Sequence, residues 1–320
     1  MLVNGTWDAE WQPVQSSDEE GRFVRQTSTF RQWVTPDGAP GPEGQPALRA
    51  EAGRFHLIVA YICPWASRAL MARTLKGLEN VISVSVVDPR LSDQGWTFGG
   101  FPGATLKDEL IGASYMHEFY THTDPDVSGR ATVPVLWDKK TNRIVNNESA
   151  DILRILNDGF GELADSRIDL RPADLLSEIE LLNTQMYESF NNGVYKAGFA
   201  STQLAYEEAN QSVFATLDLL EAQLSDGRRF LFGAQITETD LRAFVTLIRF
   251  DAAYFGLFKT NIRRVADYPN LQNFLKSVLL LKGIRDTVRI DHIQAGYYSI
   301  KALNPLGIVP QGPDLSDLGL

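Results

Sequence analysis

The chain has 320 residues, 44% hydrophobic and 22% charged, enough to bury the cores of two domains without disulfides or metal ions. A formal net charge of −10 and a pI near 5.0 exclude a broad surface for nucleic acid or an anionic membrane. A single cysteine, Cys63, excludes an internal disulfide, a multi-cysteine metal site and a two-cysteine redox cycle.

Residues 1–50 are rich in Gly, Pro, Gln and Ser and have no sustained period. They predict an extended arm, anchored by Trp7, Trp11, Phe23, Phe30 and Trp33 and closed by the turn-rich PDGAPGPEGQP. The opening MLVNGTWDAEWQPVQSS has neither a basic nor an apolar segment, so no signal peptide is expected. No apolar run is long enough to span a bilayer. The expected compartment is a reducing cytoplasm, where a lone thiol stays reduced.

A folded domain is expected over 51–160. RFHLIVA (54–60) predicts a strand, YICPWASRALMARTLKGLE a helix opening at Pro64 and closing at Gly77, and VISVSVV (81–87) a second strand. Strand, helix and strand at this spacing make a βαβ unit with a right-handed crossover. Residues 88–130 form a Gly- and aromatic-rich insertion, with GWTFGGFPG, where one helix would normally sit. VPVLWD and RIVNN, joined by Lys-Lys-Thr-Asn, predict a hairpin, and ESADILRILND (148–158) a helix. That order is the layout of a thioredoxin-like domain.

Residues 172–300 carry apolar side chains at three- and four-residue spacing and predict an all-helical domain. Within it Thr237-Glu238-Thr239-Asp240 resembles a capping box, and 301–320 form a tail. The expected fold class is therefore α/β plus all-α. A thioredoxin-like N-terminal domain precedes a helical C-terminal domain, the architecture of glutathione transferases.

Cys63 falls at the junction of strand and helix, just before Pro64. Unpaired N–H groups and the macrodipole at a helix start favour an anion, so a thiolate there is a competent nucleophile. A buried structural cysteine is the bland alternative, and the position and the following proline outweigh it. Val133-Pro134 enters the third predicted strand, where thioredoxin-like domains place a cis-proline whose preceding residue offers backbone hydrogen bonds to a peptide. Glu148-Ser149 opens the next helix. Ser149 and the helix amides suit a carboxylate and Glu148 suits an ammonium, the two charges of a γ-glutamyl group. Alone the pair reads as simple capping; in register with Cys63 and Val133-Pro134 it points to glutathione.

CPWASRALMARTLKGLE, GWTFGG, ATVPVLWDKKTNRIVNNESADILR, FNNGVYKAGFA and RFDAAYFGLFK together resemble the glutathionyl-hydroquinone reductases, the Xi-class glutathione transferases. The resemblance runs from about Phe23 through Pro310, and CPWA alone is shared with the Omega class. It implies a reductase in which Cys63 attacks the glutathione sulfur of a glutathionyl-hydroquinone. A Cys63–glutathione mixed disulfide forms and a second glutathione resolves it. It also implies glutathione contacts at Trp96, Arg130, Val133, Glu148 and Ser149, a catalytic Tyr195, and Tyr254 and Tyr297 around an aromatic ring. Tyr298, adjacent to Tyr297, is the competing choice. Glutathione is the implied co-substrate, a quinone or hydroquinone conjugate the partner molecule, and a homodimer the implied assembly.

An Omega-like thioltransferase or dehydroascorbate reductase would use the same cysteine, and a non-catalytic glutathione-binding module is a third reading. His56, His117, His122 and His292 lack metal-ligand spacing, so no metal is expected. No G-x-S-x-G, Walker loop or G-x-G-x-x-G is present.

Overall fold

The computed structural model describes residues 1–8 and 17–320, so Trp11, an expected anchor of the arm, lies outside the described residues. Two compact units emerge. The first is built mainly from Gln26–Ile168, with Thr287–His292 added from far along the chain; the second mainly from Asp169–Asp286 and Ile293–Leu320. The arm is divided between them, Trp7 going with the first unit and Phe23 and Arg25 with the second.

In the first unit the arm contributes two short pairs, β1 (Leu2–Val3) with β2 (Thr6–Trp7) and β3 (Trp33–Thr35) with β4 (Ala47–Arg49). The main sheet uses β5 (Phe55–Val59), β6 (Ser83–Val86), β7 (Val135–Asp138) and β8 (Arg143–Asn146), in the order β6-β5-β7-β8. β5 lies parallel to β6 and antiparallel to β7, and every one of its residues is buried. A strand covered on both faces must be apolar throughout, which is why FHLIV carries no alternation. Its one polar residue, His56, is bonded at both ring nitrogens, to Ser83 Oγ at 2.7 Å and Ser85 Oγ at 2.9 Å.

Helix α1 (Pro64–Leu75) follows β5 and packs against α3 (Ser149–Asp158). Gly77 takes φ +63° just after the α1 C-cap at Lys76, a conformation that favours glycine and stops the helix. The 88–130 insertion is not irregular throughout: it contains α2 (Met116–Thr123), which packs against β8. Its sequence, MHEFYTHT, is short and poor in strong helix formers, so propensity understates it. The helix is fixed instead at its start, where Glu118 Oε2 accepts from the amides of Ser114 and Tyr115 at 2.6 and 2.8 Å.

The second unit is helical: α4 (Leu176–Met186), α5 (Gly193–Gly198), α6 (Gln203–Gln223), α7 (Glu238–Arg249), α8 (Phe255–Leu257), α9 (Pro269–Leu279) and the end of α10 (Ile290–Tyr297). Every residue of α7 is buried. It begins at the expected capping box, where Asp240 accepts from the Thr237 amide at 2.7 Å, the Thr237 hydroxyl at 2.8 Å and the Leu231 amide at 2.8 Å. Two π-helical segments, Tyr187–Asn191 and Phe250–Tyr254, interrupt the helices. Asn191, at the end of the first, donates across to the Arg242 carbonyl at 2.7 Å and the Thr246 hydroxyl at 2.8 Å on α7. Such widened turns recur at functional sites because they re-aim the side chains that follow.

Candidate active site

Cys63 is the N-cap of α1, with Pro64 at the first helical position. Its amide donates to Ala60 O at 3.0 Å, and its carbonyl accepts the first helical bond from Ser67 N at 2.9 Å. The sulfur makes no capping bond to the helix amides. The thiol instead donates to the Val133 carbonyl at 3.5 Å, and the Val133–Pro134 bond is cis. The β5–α1 turn and the entry to β7 thus bring together two residues singled out from sequence. A half-buried sulfur at a helix start keeps both access and a favourable field for its anion.

At the start of α3, Glu148 is the N-cap, and its Oε1 accepts from Ala150 N at 3.0 Å. Ser28 from the arm donates to Glu148 Oε2 at 2.9 Å. Burial pushes the Glu148 carboxyl up, but Arg68, the Ala150 amide, Ser28 and Arg31 together hold it below its usual range. Ser149 is buried, and its hydroxyl oxygen accepts from Arg68 Nε at 3.2 Å and Nη2 at 2.6 Å. The capping reading of Glu148 holds, and the same carboxylate lies 3.9 Å from the Arg68 guanidinium. Sequence patterns alone pass over Arg68, Ser28 and Arg31. Arg31 forms an ion pair with Asp151, in the first turn of α3, through Nε and through Nη2 at 2.8 Å. Only the last letter of CPWASR hints at any of them.

Trp96 and Arg130, the remaining glutathione-contact candidates, sit in the insertion, and both are half-buried. The Trp96 carbonyl accepts from Met116 N at 2.9 Å, tying the loop to α2, and the Arg130 amide donates to Gln26 Oε1 at 3.2 Å. Trp7 and His292 hold the insertion at further points. Trp7 stacks on His117 at 4.5 Å and donates to the Asp93 carbonyl at 3.0 Å. His292 Nε2 donates to the Pro102 carbonyl at 2.9 Å, and its ring meets Tyr61 edge-on at 5.1 Å and Phe101 at 4.8 Å.

In the second unit three tyrosines that lie far apart in sequence share their hydroxyls. Tyr297 is the hub, 2.6 Å from Tyr195 Oη and 2.8 Å from Tyr254 Oη. Tyr297, rather than its neighbour Tyr298, joins this cluster. Tyr254 ends the second π segment, and Tyr195 lies in α5 just after the first. Burial raises the phenols of Tyr254 and Tyr297 well above their ordinary value, and the neighbouring Tyr195 adds to the effect. Phe258 braces all three rings, at 5.5, 5.1 and 5.6 Å from Tyr195, Tyr254 and Tyr297. Arg25 lies 4.9 Å over the Tyr195 ring and donates to Asn192 Oδ1 at 2.7 Å. Among the described residues no group of His, Cys, Asp or Glu is arranged to hold a metal, and no helix is long and apolar enough to cross a membrane.

A four-stranded mixed sheet of thioredoxin-like order with Cys63 at the N-cap of α1, followed in the chain by a helical unit, is the architecture of a glutathione-transferase-type fold. The glutathione S-transferase N-terminal domain family matches residues 62–158, and the C-terminal domain family matches 203–277. The chain is 48% identical to glutathionyl-hydroquinone reductase YqjG of Escherichia coli over 98% of its own length and 95% of the relative's. It is 45% identical to glutathionyl-hydroquinone reductase PcpF of Sphingobium chlorophenolicum over 98% and 96%. The glutathione-bound structure of YqjG aligns at a TM-score of 0.90 with 46% identity, covering 100% of this chain and 97% of that one. Glutathione transferase Xi from Phanerochaete chrysosporium aligns at 0.86 with 44% identity, covering 92% and 98%. The chain belongs to the glutathione S-transferase family, in its Xi class of glutathionyl-hydroquinone reductases.

Proposed function

We propose that this chain reduces glutathionyl-hydroquinones to hydroquinones at the expense of glutathione. The Cys63 thiolate attacks the thioether sulfur of the conjugate. The sulfur–carbon bond breaks, the electron pair leaves with the ring carbon, and that carbon takes a proton. Cys63 is left as a mixed disulfide with glutathione. A second glutathione thiolate attacks it, releasing oxidised glutathione and restoring the thiol. The observation that carries this reading is the Cys63 thiol at the α1 N-cap, 3.5 Å from the Val133 carbonyl, in a chain with no second cysteine to resolve it.

In this reading Glu148 and Ser149 hold the γ-glutamyl head, Val133 pairs through its backbone, and Trp96 and Arg130 contact the rest of the tripeptide. Tyr195 is the proton donor, with Tyr254 and Tyr297 beside it for the hydroquinone ring. Phenols suit the task, since they stack on a ring and donate to its oxygens. A cytoplasmic setting follows from the need for abundant reduced glutathione. A homodimer is the assembly proposed, supported by family membership and by exposed Leu181, Leu204 and Leu280 on the helical unit.

The test is to supply glutathionyl-menadiol and glutathione and to follow oxidised glutathione and free hydroquinone. One of each per turnover is expected. No turnover on any such conjugate, together with efficient reduction of dehydroascorbate or mixed disulfides, would replace this reading with the Omega-like one. Glutathione binding without turnover on any substrate would leave the binding module.

A further inference from the structure

We propose that Arg68 is a positioning residue of the γ-glutamyl site, orienting the Ser149 hydroxyl to donate to a ligand carboxylate and fixing the Glu148 carboxylate for a ligand ammonium. The inference rests on the glutathione reading above. Its basis is the donor count. A guanidinium carries only donors, and Arg68 aims two of them at one oxygen, Ser149 Oγ, at 3.2 and 2.6 Å. Those two bonds take up the acceptor capacity of the serine oxygen. The hydroxyl hydrogen is what remains, so Ser149 must act as a donor. Its contact to Glu148 Oε1 is long, at 3.5 Å, so a carboxylate placed closer would capture it.

Charge arrangement points the same way. Arg68 is 2% exposed, and Glu148 lies 3.9 Å away as its counter-charge. A buried guanidinium needs such a partner, because leaving it unpaired is costly. Glu148 is also pinned by Ser28 and the Ala150 amide, so it stands ionised in one place. A ligand head bearing ammonium and carboxylate on one carbon then meets a fixed carboxylate and a fixed hydroxyl, backed by the guanidinium. The guanidinium carbon lies 4.8 Å over the Trp65 ring, within cation–π range. Arg68 also stands five residues after Cys63 at the start of α1, a rise of roughly 7–8 Å along the helix axis. One rigid helix therefore carries both the thiol and the group that organises the head site.

The test uses the full chain with Arg68→Met, Arg68→Lys, Ser149→Ala and the double variants, and measures glutathione binding by calorimetry from neutral to mildly acidic pH. Arg68→Met is expected to weaken binding by on the order of tenfold or more. Adding Ser149→Ala should cost little further, since both remove one interaction. Arg68→Lys should recover part of the loss, supplying charge without the two-pronged geometry. Binding by Arg68→Met should also fade at a higher pH on acidification than in the parent, because Glu148 loses its cation; a scaffolding role would lower thermal stability without moving that limb. Unchanged binding in Arg68→Met, or losses that multiply in the double variant, would overturn the proposal. If Arg68→Met does not fold, the Arg68→Lys and Ser149→Ala cycle reads the same coupling. Turnover by the parent enzyme is scored separately. Arg68-dependent binding without conjugate turnover sinks the reductase reading alone, and turnover with Arg68-independent binding sinks this one alone.

Discussion

The Tyr195 and Tyr297 hydroxyls meet at 2.6 Å across 102 residues of sequence, and Tyr297 simultaneously reaches Tyr254 at 2.8 Å. A phenol held by another phenol loses rotational freedom, and its proton is polarised along the chain of hydroxyls. Tyr297→Phe is expected to slow conjugate reduction by roughly ten- to a hundredfold while leaving glutathione affinity unchanged. Steady-state kinetics with calorimetry separates the two effects, and Tyr298→Phe serves as the control. Equal losses in both variants would remove the hydroxyl cluster from the reaction.

Cys63→Ser should abolish formation of oxidised glutathione from conjugates. In the parent, exposure to conjugate without added glutathione should leave Cys63 bearing one glutathionyl group by mass spectrometry, and the serine variant should stay unmodified. Activity retained in the variant would take the thiol out of the mechanism, since no other cysteine can substitute for it.

Gly198 closes α5 three residues after Tyr195, and a Cβ there would fall 2.4 to 2.8 Å from the Phe258 ring. Because that ring braces all three tyrosines, Gly198→Ala must displace it. We expect a loss of roughly 1–3 kcal/mol in unfolding free energy, together with reduced conjugate turnover. Denaturant titration and kinetics on the same preparation check this, and an unperturbed variant would show that the ring moves freely.

Acid behaviour should show two opposed slopes. Burial lowers His56 to about 4 from 6.5, so the stability tied to its neutral form is complete above pH 6.5 and lost as pH falls through 4. That loss is worth about 3 kcal/mol at most. Burial raises Asp240 from 3.8 to about 6, so its contribution is complete below 3.8 and lost as pH rises through 6. The windows overlap and the terms offset. His56→Gln removes one of them, so its stability relative to the parent should rise as the pH falls from 6.5 towards 4. Unfolding midpoints near neutrality and near about pH 4.5 decide the matter; parallel curves would mean that His56 does not titrate in this range.

Elements with strong local signals are legible in the sequence. β5, α1 and the β7–β8 hairpin carry their own punctuation: a continuous apolar run, Pro64 and Gly77 at the helix ends, and a short polar turn. The pairing of Cys63 with Val133 is legible as well, because a thioredoxin-like order of strands brings those two loops together. Helix α2 is not, since its eight residues are held by Glu118 and by packing rather than by propensity. Nor are the π segments, which leave no periodic trace in so few residues. Arg68 reads as one more helix-favouring residue, because its partners, Glu148 and Ser149, are about eighty positions away.

By itself the sequence determined the one thiol, its place at a helix start, and the order of a thioredoxin-like domain before a helical one. Those properties depend on residue identity and near-neighbour spacing, which are local. Tertiary structure alone decided that Arg68 backs the Glu148–Ser149 pair, that Ser28 and Arg31 of the arm bond to the start of α3, and that Tyr297 rather than Tyr298 joins Tyr195 and Tyr254. Each is a contact between distant segments, made only when burial forces polar groups to find partners wherever the fold has put them.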